Sequence, residues 1–504
     1  MILSLFAAAA AADPALYRVD DPDRADAIAR SAFGSVLAAP PEAGTRYRLE
    51  EPPSPDVVDA ESLPERWGPG DVREALNADV WHDRGVTGQG VKVAVFDLQW
   101  FGGGADSIEV GQVGTHDCWT HPACEAPLEP WRPRFSYEEG VHGVACAEAV
   151  HDVAPDAELH LVRVNGATTF ENAADWAIRE GVDVVTMSLS FFNNSFYDGT
   201  GPISATAERM VAGGVTLLTS AGNYAESHWR GRVLDGDLDG RVDMDGANGL
   251  WIYLGAGAHT VYVSWSEFGS CGTSDLDAVL RNEDGDLLGR TDDVQLPSED
   301  DCLPVERVSG TVKEAQWVRL EVEIVRGPAV ATELAVLATT GEVDGSMPIG
   351  SMADPASSPW VVGVGAIEAT GYATNDVEYF SSQGFDGKPE IGGPDGLSVT
   401  AYGPTGFYGT SAATPAVAGA LALVMSEEPG RTAQEAMALL KAWALDGDAA
   451  TFQSPDPRWG AGKARLPVEP QDLGCGRRPM ILPVLFLPLL WGRRRGPGAG
   501  RWRG

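Results

Sequence analysis

The chain has 504 residues, too long for one ordinary domain, and its 44% hydrophobic and 8% aromatic content is enough for a sizeable core. A formal charge of −37 excludes nucleic acid as a partner, because a phosphate backbone attracts the opposite sign. The same charge fits a soluble extracellular protein and leaves carboxylates for cations, although most of them read simply as a solvated acidic surface. In chain order, residues 1–12 come first, within "MILSLFAAAAAADP", as a signal-peptide-like segment. Their apolar stretch ends in alanines that suit a small-residue cleavage site at Ala10 to Ala12, with no positive charge before it. A frayed alanine-rich helix is the alternative. Residues 13–75 are rich in Pro, Ala, Asp and Arg without a long period, and read as a pro-segment or arm.

From residue 76 to 226 the pattern changes. "VKVAVFD" (91–97) is a buried-strand run that ends in an acid, and "HGVACAEAVHDVA" (142–154) has helical spacing with small residues on one side. "AELHLVRV" predicts a strand, and "FENAADWAIREG" an amphipathic helix stopped by Gly181. The strand "VDVVTMSLS", the helix "PISATAERMVAGG" and the strand "VTLLTSAGN" come next. Strands alternating with helices of this length mean an α/β fold, a parallel sheet with crossover helices. The rhythm breaks near Ser227. "HTVYVSW", "LDAVLRN", "WVRLEVEIV" and "TELAVLAT" are short strands separated by turn signals, so residues 227–346 predict an inserted β-sandwich domain. Residues 347–468 return to the first style with "WVVGVGAIEAT" and a helix after Gly409.

Residues 469–504 form a linker and tail. Cys475 precedes a 13-residue apolar run, Pro479 to Trp491, and an arginine cluster. The run is short for a span of about 20 residues, and its three prolines oppose a regular helix. The order resembles the tripartite C-terminal sorting tails of surface proteins in myxobacteria-like organisms. Those often carry a paired cysteine motif, where only Cys475 stands here. This resemblance implies a secreted or cell-surface protein, with membrane association through the tail.

Six cysteines suit an oxidising compartment. Among the fifteen full connectivities, pairing Cys118 with Cys124 and Cys271 with Cys302 is preferred, leaving Cys146 and Cys475 free. His116, Cys118, His121 and Cys124 also have the makings of a zinc set, but a disulfide accounts for the cysteines more simply. In "DGDLDGRVDMDG" (235–246), Asp235, Asp237, Asp239 and Asp243 alternate around Gly240 in the manner of a calcium loop. Gly246 stands where the twelfth-position glutamate belongs, and a solvated acidic turn is the plain alternative.

Three stretches then combine. Asp97 closes a buried strand, His142 starts a helix of small residues, and Ser411 starts another in "YGTSAATPAVAGA". Taken singly, each has an ordinary explanation as a turn acid, a structural histidine and a helix cap. In parallel sheets, however, functional groups gather at strand carboxyl ends and adjoining helix starts. A serine hydroxyl needs a neutral imidazole to take its proton, and an acid to orient that imidazole. Asn223, in "TSAGN", adds an amide donor for an oxyanion, and the N–H of Ser411 a second. Cys146, on the same predicted helix face as His142, reads as small buried packing.

"VKVAVFD", "HGVACAEAVHDVAPDAELHLVRV", "TSAGN" and "GTSAATPAVAGALALV" resemble the subtilisin-like serine peptidases in the order Asp, His, Asn, Ser, as does "YFSSQGFDGKPEIGGPDGLSV" upstream of the serine. The resemblance covers about 76–226 and 347–468, the two parts of a peptidase domain split by the insert. It implies a subtilisin-like parallel sheet with helices on both faces. By resemblance Asp97 orients, His142 is general base and then acid, Ser411 is the nucleophile and Asn223 the oxyanion donor. Ser188, Leu189 and Ser190 look like the segment that pairs with an extended protein or peptide substrate. The expectation is a monomeric exported endopeptidase that needs no cofactor for its chemistry, with calcium as the cation of the acidic loop. The chain departs from the pattern in three places. Leu98, Gln99 and Trp100 follow Asp97 instead of a small hydroxyl residue and glycine; Val144 stands where threonine is common; Ala416 replaces the usual histidine. These departures leave open a second reading, a catalytically inactive surface protein that binds through the β-insert. A lipase-like hydrolase is disfavoured, since Gly-Thr-Ser-Ala-Ala is not the Gly-x-Ser-x-Gly elbow.

Overall fold

The computed structural model describes residues 71–100, 110, 113–128, 140–268, 274–291, 295, 303–327, 332–445 and 456–468. The signal-like segment, nearly all of the expected pro-segment, the C-terminal tail and Cys271, Cys302 and Cys475 lie outside the described residues. Two short helices open the described chain, α1 (Val72–Leu76) and α2 (Ala78–His82), with Asp71 capping the first through the Arg73 N–H at 2.9 Å.

Strand β1 (Lys92–Asp97) is buried from Val93 to its end. Its side chains alternate: Val93 and Val95 enter one buried cluster, Ala94 and Phe96 another on the opposite side. After β1 come β2 (Gly114–Asp117), α3 (His142–Val153), β3 (Glu158–Arg163), α4 (Ala167–Glu180), β4 (Val184–Met187), α5 (Gly201–Ala212) and β5 (Thr216–Ser220). Gly181 ends α4 in the left-handed region at φ 63°, as its sequence suggested.

Among the described residues nine strands then follow with no helix between them. These are β6 (His228–Val233), β7 (Leu250–Leu254), β8 (Gly257–Trp265), β9 (Asp275–Asn282), β10 (Leu287–Arg290), β11 (Val305–Val312), β12 (Gln316–Arg326), β13 (Thr332–Ala338) and β14 (Gly341–Val343). They pair antiparallel in two sheets, ordered β10-β9-β12-β7-β14 and β11-β8-β13-β6. Ile252, Leu280 and Leu320 of the first meet Val261, Val308 and Val336 of the second in one buried cluster. Along β7 the alternate residues Trp251 and Tyr253 face outward.

The chain returns with β15 (Val362–Glu368), β16 (Ile391–Asp395), the hairpin β17 (Leu397–Val399) and β18 (Gly403–Phe407), then α6 (Thr410–Glu427) and α7 (Ala433–Trp443). A seven-stranded sheet, ordered β16-β15-β5-β4-β1-β3-β2, is parallel at every pairing. Helices α3, α6 and α7 share the buried cluster on one face, and α4 and α5 that on the other. Parallel sheets require both faces covered, which is why these strands read as continuous apolar runs. Helix α6 is buried from Thr410 to Met425, apolar all round as a central helix must be. No helix among the described residues is long and apolar enough to cross a membrane.

Candidate functional site

Asp97 ends β1 at the carboxyl edge of the sheet and is fully buried. His142 is the first residue of α3, and its Nδ1 lies 2.7 Å from Oδ2 of Asp97. With the carboxylate accepting, Nδ1 carries the proton, so Nε2 is left as a base. Burial draws the His142 pKa down, but the charge of Asp97 and its hydrogen bond more than offset this and hold it above 6.5. The imidazole keeps 18% of its surface exposed, although Nε2 itself is covered. Nε2 of His142 and Oγ of Ser411 are both buried atoms without a hydrogen-bond partner among the described residues. Catalytic hydrogen bonds are often long before substrate arrives.

Leu98-Gln99-Trp100, the departure that kept an inactive scaffold in view, supports the acid. The N–H of Gln99 donates to Oδ1 of Asp97 at 2.9 Å, so each carboxylate oxygen has its own partner. Trp100, fully buried, donates its indole N–H to the carbonyl oxygens of Asp97 and Val162. Gly143 makes room for this arrangement. A Cβ there would lie 2.8 Å from the Gln99 carbonyl oxygen, 2.9 Å from Asp97 Cβ and 3.0 Å from the Trp100 ring.

The nucleophile turn is held from several directions. Gly409, at φ 97°, precedes α6 in a conformation suited to glycine, and a Cβ there would meet Asn223 Nδ2 at 2.7 Å. Thr410 donates both its N–H (3.0 Å) and its hydroxyl (2.8 Å) to Oδ1 of Asn223. That fixes the Asn223 amide with Nδ2 turned away from those bonds, and Nδ2 has no partner among the described residues. Pro415 lacks the N–H that would bond the Ser411 carbonyl four residues back. Ser188 fills the gap, donating its hydroxyl to that carbonyl at 3.0 Å, and the Cys146 thiol approaches it at 3.7 Å. Cys146 Sγ also lies within 4.8 Å of the ligand atoms of Asp97 and His142. Burial, reinforced by the Asp97 charge, pushes its thiol well above the ordinary range, so it packs as a neutral group.

Asp97, His142, Asn223 and Ser411 are therefore brought to one end of the parallel sheet, with Ser188 bonded to Ser411. Leu189 and Ser190 continue beyond β4, half-buried. The preferred pairing of Cys118 with Cys124 is present as a disulfide, S–S 2.05 Å, and it removes both thiolates from the alternative zinc set. His116 instead faces His160 at 3.1 Å and the Cys124 carbonyl oxygen at 3.1 Å. In the acidic loop, carboxylate oxygens of Asp235, Asp237 and Asp239 lie within 4.8 Å of one another. Asp243 does not join them, because its Oδ2 accepts the Gly236 N–H at 2.9 Å and its backbone pairs with Leu234. Gly143 was legible as a small residue permitting close packing beside His142, but the contributions of Trp100 and Thr410 were not legible as function. A hydroxyl next to the nucleophile was the one signal available for Thr410.

Comparison with known proteins shows the family and the fold. The model of the subtilase family matches residues 136–275 and 305–462, which include His142, Asn223 and Ser411. Subtilisin E of Bacillus subtilis (strain 168) is 33% identical over 176 residues, 30% of this chain and 39% of the relative. The membrane-bound transcription factor site-1 protease of Homo sapiens is 30% identical over 153 residues, 29% of this chain and 14% of the relative. The chain thus spans less than half the length of these two curated relatives. The structure of the Clostridium perfringens CspB protease is similar in fold, with a TM-score of 0.54 and 16% identity, covering 78% of this chain and 97% of the other.

Proposed function

The chain belongs to the subtilase family, and on that premise we propose that it is a serine endopeptidase acting on protein or peptide. The observation that carries the reading is the 2.7 Å bond from His142 Nδ1 to the buried Asp97, which leaves Nε2 as the base. Ser411 Oγ attacks the scissile carbonyl carbon as its proton passes to Nε2 of His142, and Asp97 stabilises the resulting imidazolium. Asn223 Nδ2 and the N–H of Ser411 donate to the oxyanion. The tetrahedral intermediate collapses as His142 returns the proton to the leaving amine. Water, activated by the same imidazole, then hydrolyses the acyl-enzyme. Ser188, Leu189 and Ser190 offer the backbone against which an extended substrate lies.

The proposal extends to compartment and cation. The Cys118–Cys124 disulfide and the acidic charge support export to the medium or cell surface, with the tail associating with membrane and the enzyme acting as a monomer. Residues 227–346 would be an inserted domain of the exported peptidase. Three oxygen ligands from Asp235, Asp237 and Asp239 suit calcium, a hard cation, without Asp243. One experiment tests the core: fluorophosphonate labelling of medium, envelope and cytosol from cells making the wild type or Ser411→Ala. A labelled band outside the cytosol that disappears in Ser411→Ala is expected. Absence of any Ser411-dependent label on folded protein sinks the peptidase reading, and label confined to the cytosol sinks export.

A further inference from the structure

Asp395 is the last residue of β16, fully buried, and belongs to none of the groups assigned above. Its Oδ2 accepts the N–H of Gly409 at 2.9 Å, two residues before the nucleophile. Its Oδ1 is buried without a partner among the described residues. A carboxyl buried with one unpaired oxygen costs stability, and an apolar residue of the same shape would avoid that cost. The retained bond goes to the one residue whose φ of 97° sets the direction of the chain into α6.

The start of α6 makes the consequence concrete. The first N–H groups of a helix have no partners within it. Here the Gly409 N–H goes to Asp395, the Thr410 N–H goes to Asn223, and the Ala412 and Ala413 N–H groups close onto the Gly409 carbonyl. The Ser411 N–H has no acceptor among the described residues. The turn is thus pinned from β5 through Asn223 and from β16 through Asp395, on either side of β15. Burial, with the like charges of Glu378 and Glu368, holds the Asp395 carboxyl well above the ordinary range, so a neutral acceptor serves.

We propose that Asp395 is a positioning residue for the nucleophile: by holding the Gly409 N–H it fixes the turn that aims Ser411 and its N–H. The inference deepens the peptidase reading and rests on it. Asp395→Asn keeps an acceptor oxygen and no charge, whereas Asp395→Leu keeps the shape without the acceptor. Each is compared with wild type, as the full chain, for fluorophosphonate stoichiometry and for kcat and KM on an internally quenched peptide that the wild type cuts. Asp395→Leu should lower kcat about 10- to 100-fold with KM within about threefold and full labelling stoichiometry, and Asp395→Asn should restore kcat to within about threefold. Wild-type kcat in Asp395→Leu, or equal losses in both variants, overturns the positioning role. Should Asp395→Leu not fold, hydrogen exchange at the Gly409 amide decides instead, since protection in both wild type and Asp395→Asn is required and an unprotected amide overturns the role. A folded wild type that takes no Ser411-dependent label fails earlier, at the peptidase reading itself.

Discussion

In the proposed mechanism His142 acts as a base only when Nε2 is free of its proton, so its protonation would set the acid side of the activity profile. Its pKa lies above 6.5 because the Asp97 charge and hydrogen bond outweigh burial. Activity is therefore lost as pH falls through a midpoint above 6.5. Asp97→Asn removes the charge and leaves burial, so the midpoint moves to lower pH while kcat falls by on the order of 10⁴ as the tautomer is lost. Measuring kcat/KM from pH 5 to 9 checks both, and an acid limb that Asp97→Asn does not move removes Asp97 as the cause. At this scale the sequence was informative where chemistry restricts the residue type. That Asp97, His142, Asn223 and Ser411 belong together was readable because few side chains suit the proposed chemistry. Gly143 was readable only as a small residue permitting close packing, and Trp100 not at all, since what they pack against is set by the fold.

Strands and helices divide by how their pattern arises. The seven-stranded sheet was legible because each central strand is buried on both faces and bounded by a helix with its own period. β6, β7 and β11 were harder. Arg230, Trp251, Tyr253 and Glu306 interrupt them, and their alternation is meaningful only once two sheets face each other. The acidic loop between β6 and β7 is intermediate: its spacing showed the carboxylates, while the turn decided which converge. Asp239 N–H bonds Asp235 and Asp237, drawing those two side chains toward it, and Gly236 takes Asp243 aside. Calcium held by Asp235, Asp237 and Asp239 should raise the melting temperature. For a site in the 10⁻⁴ to 10⁻³ M range, 10 mM calcium stabilises by about 1.4 to 2.7 kcal/mol. Thermal melts in calcium and in chelator should differ for the wild type and coincide for Asp237→Asn. Identical wild-type melts would remove calcium from the proposal.

For the molecule as a whole, the consequential region is where the parallel sheet meets the nine-strand part. Phe196, Tyr197 and Tyr224 share a buried cluster with Ala335 and Leu337 of β13. Arg230 of β6 stacks on Phe196 at 4.2 Å, and Asn193 donates to the Glu306 carbonyl oxygen. Asp354 ties this segment down. It accepts hydroxyls from Ser195 and Ser357, both at 2.6 Å, and its carbonyl oxygen takes the Phe191 N–H. Burial raises its pKa to about 6, against the hydrogen bonds that lower it. An acid whose folded pKa lies above its unfolded value favours the folded state fully below the unfolded value, near 3.8, and the advantage is lost as pH rises through about 6. That difference of roughly two units corresponds to on the order of 3 kcal/mol. Asp354→Asn keeps an amide oxygen for one serine and cannot ionise, so its stability should not decline through this window on account of this position. Urea unfolding at pH 4, 5, 6 and 7 isolates the effect as the difference between the two proteins, since all other groups titrate in both. The variant should gain on the wild type by on the order of 3 kcal/mol from pH 4 to 7. A gap that stays constant across that range would mean Asp354 does not change its charge there, and the pH dependence would have to come from other groups.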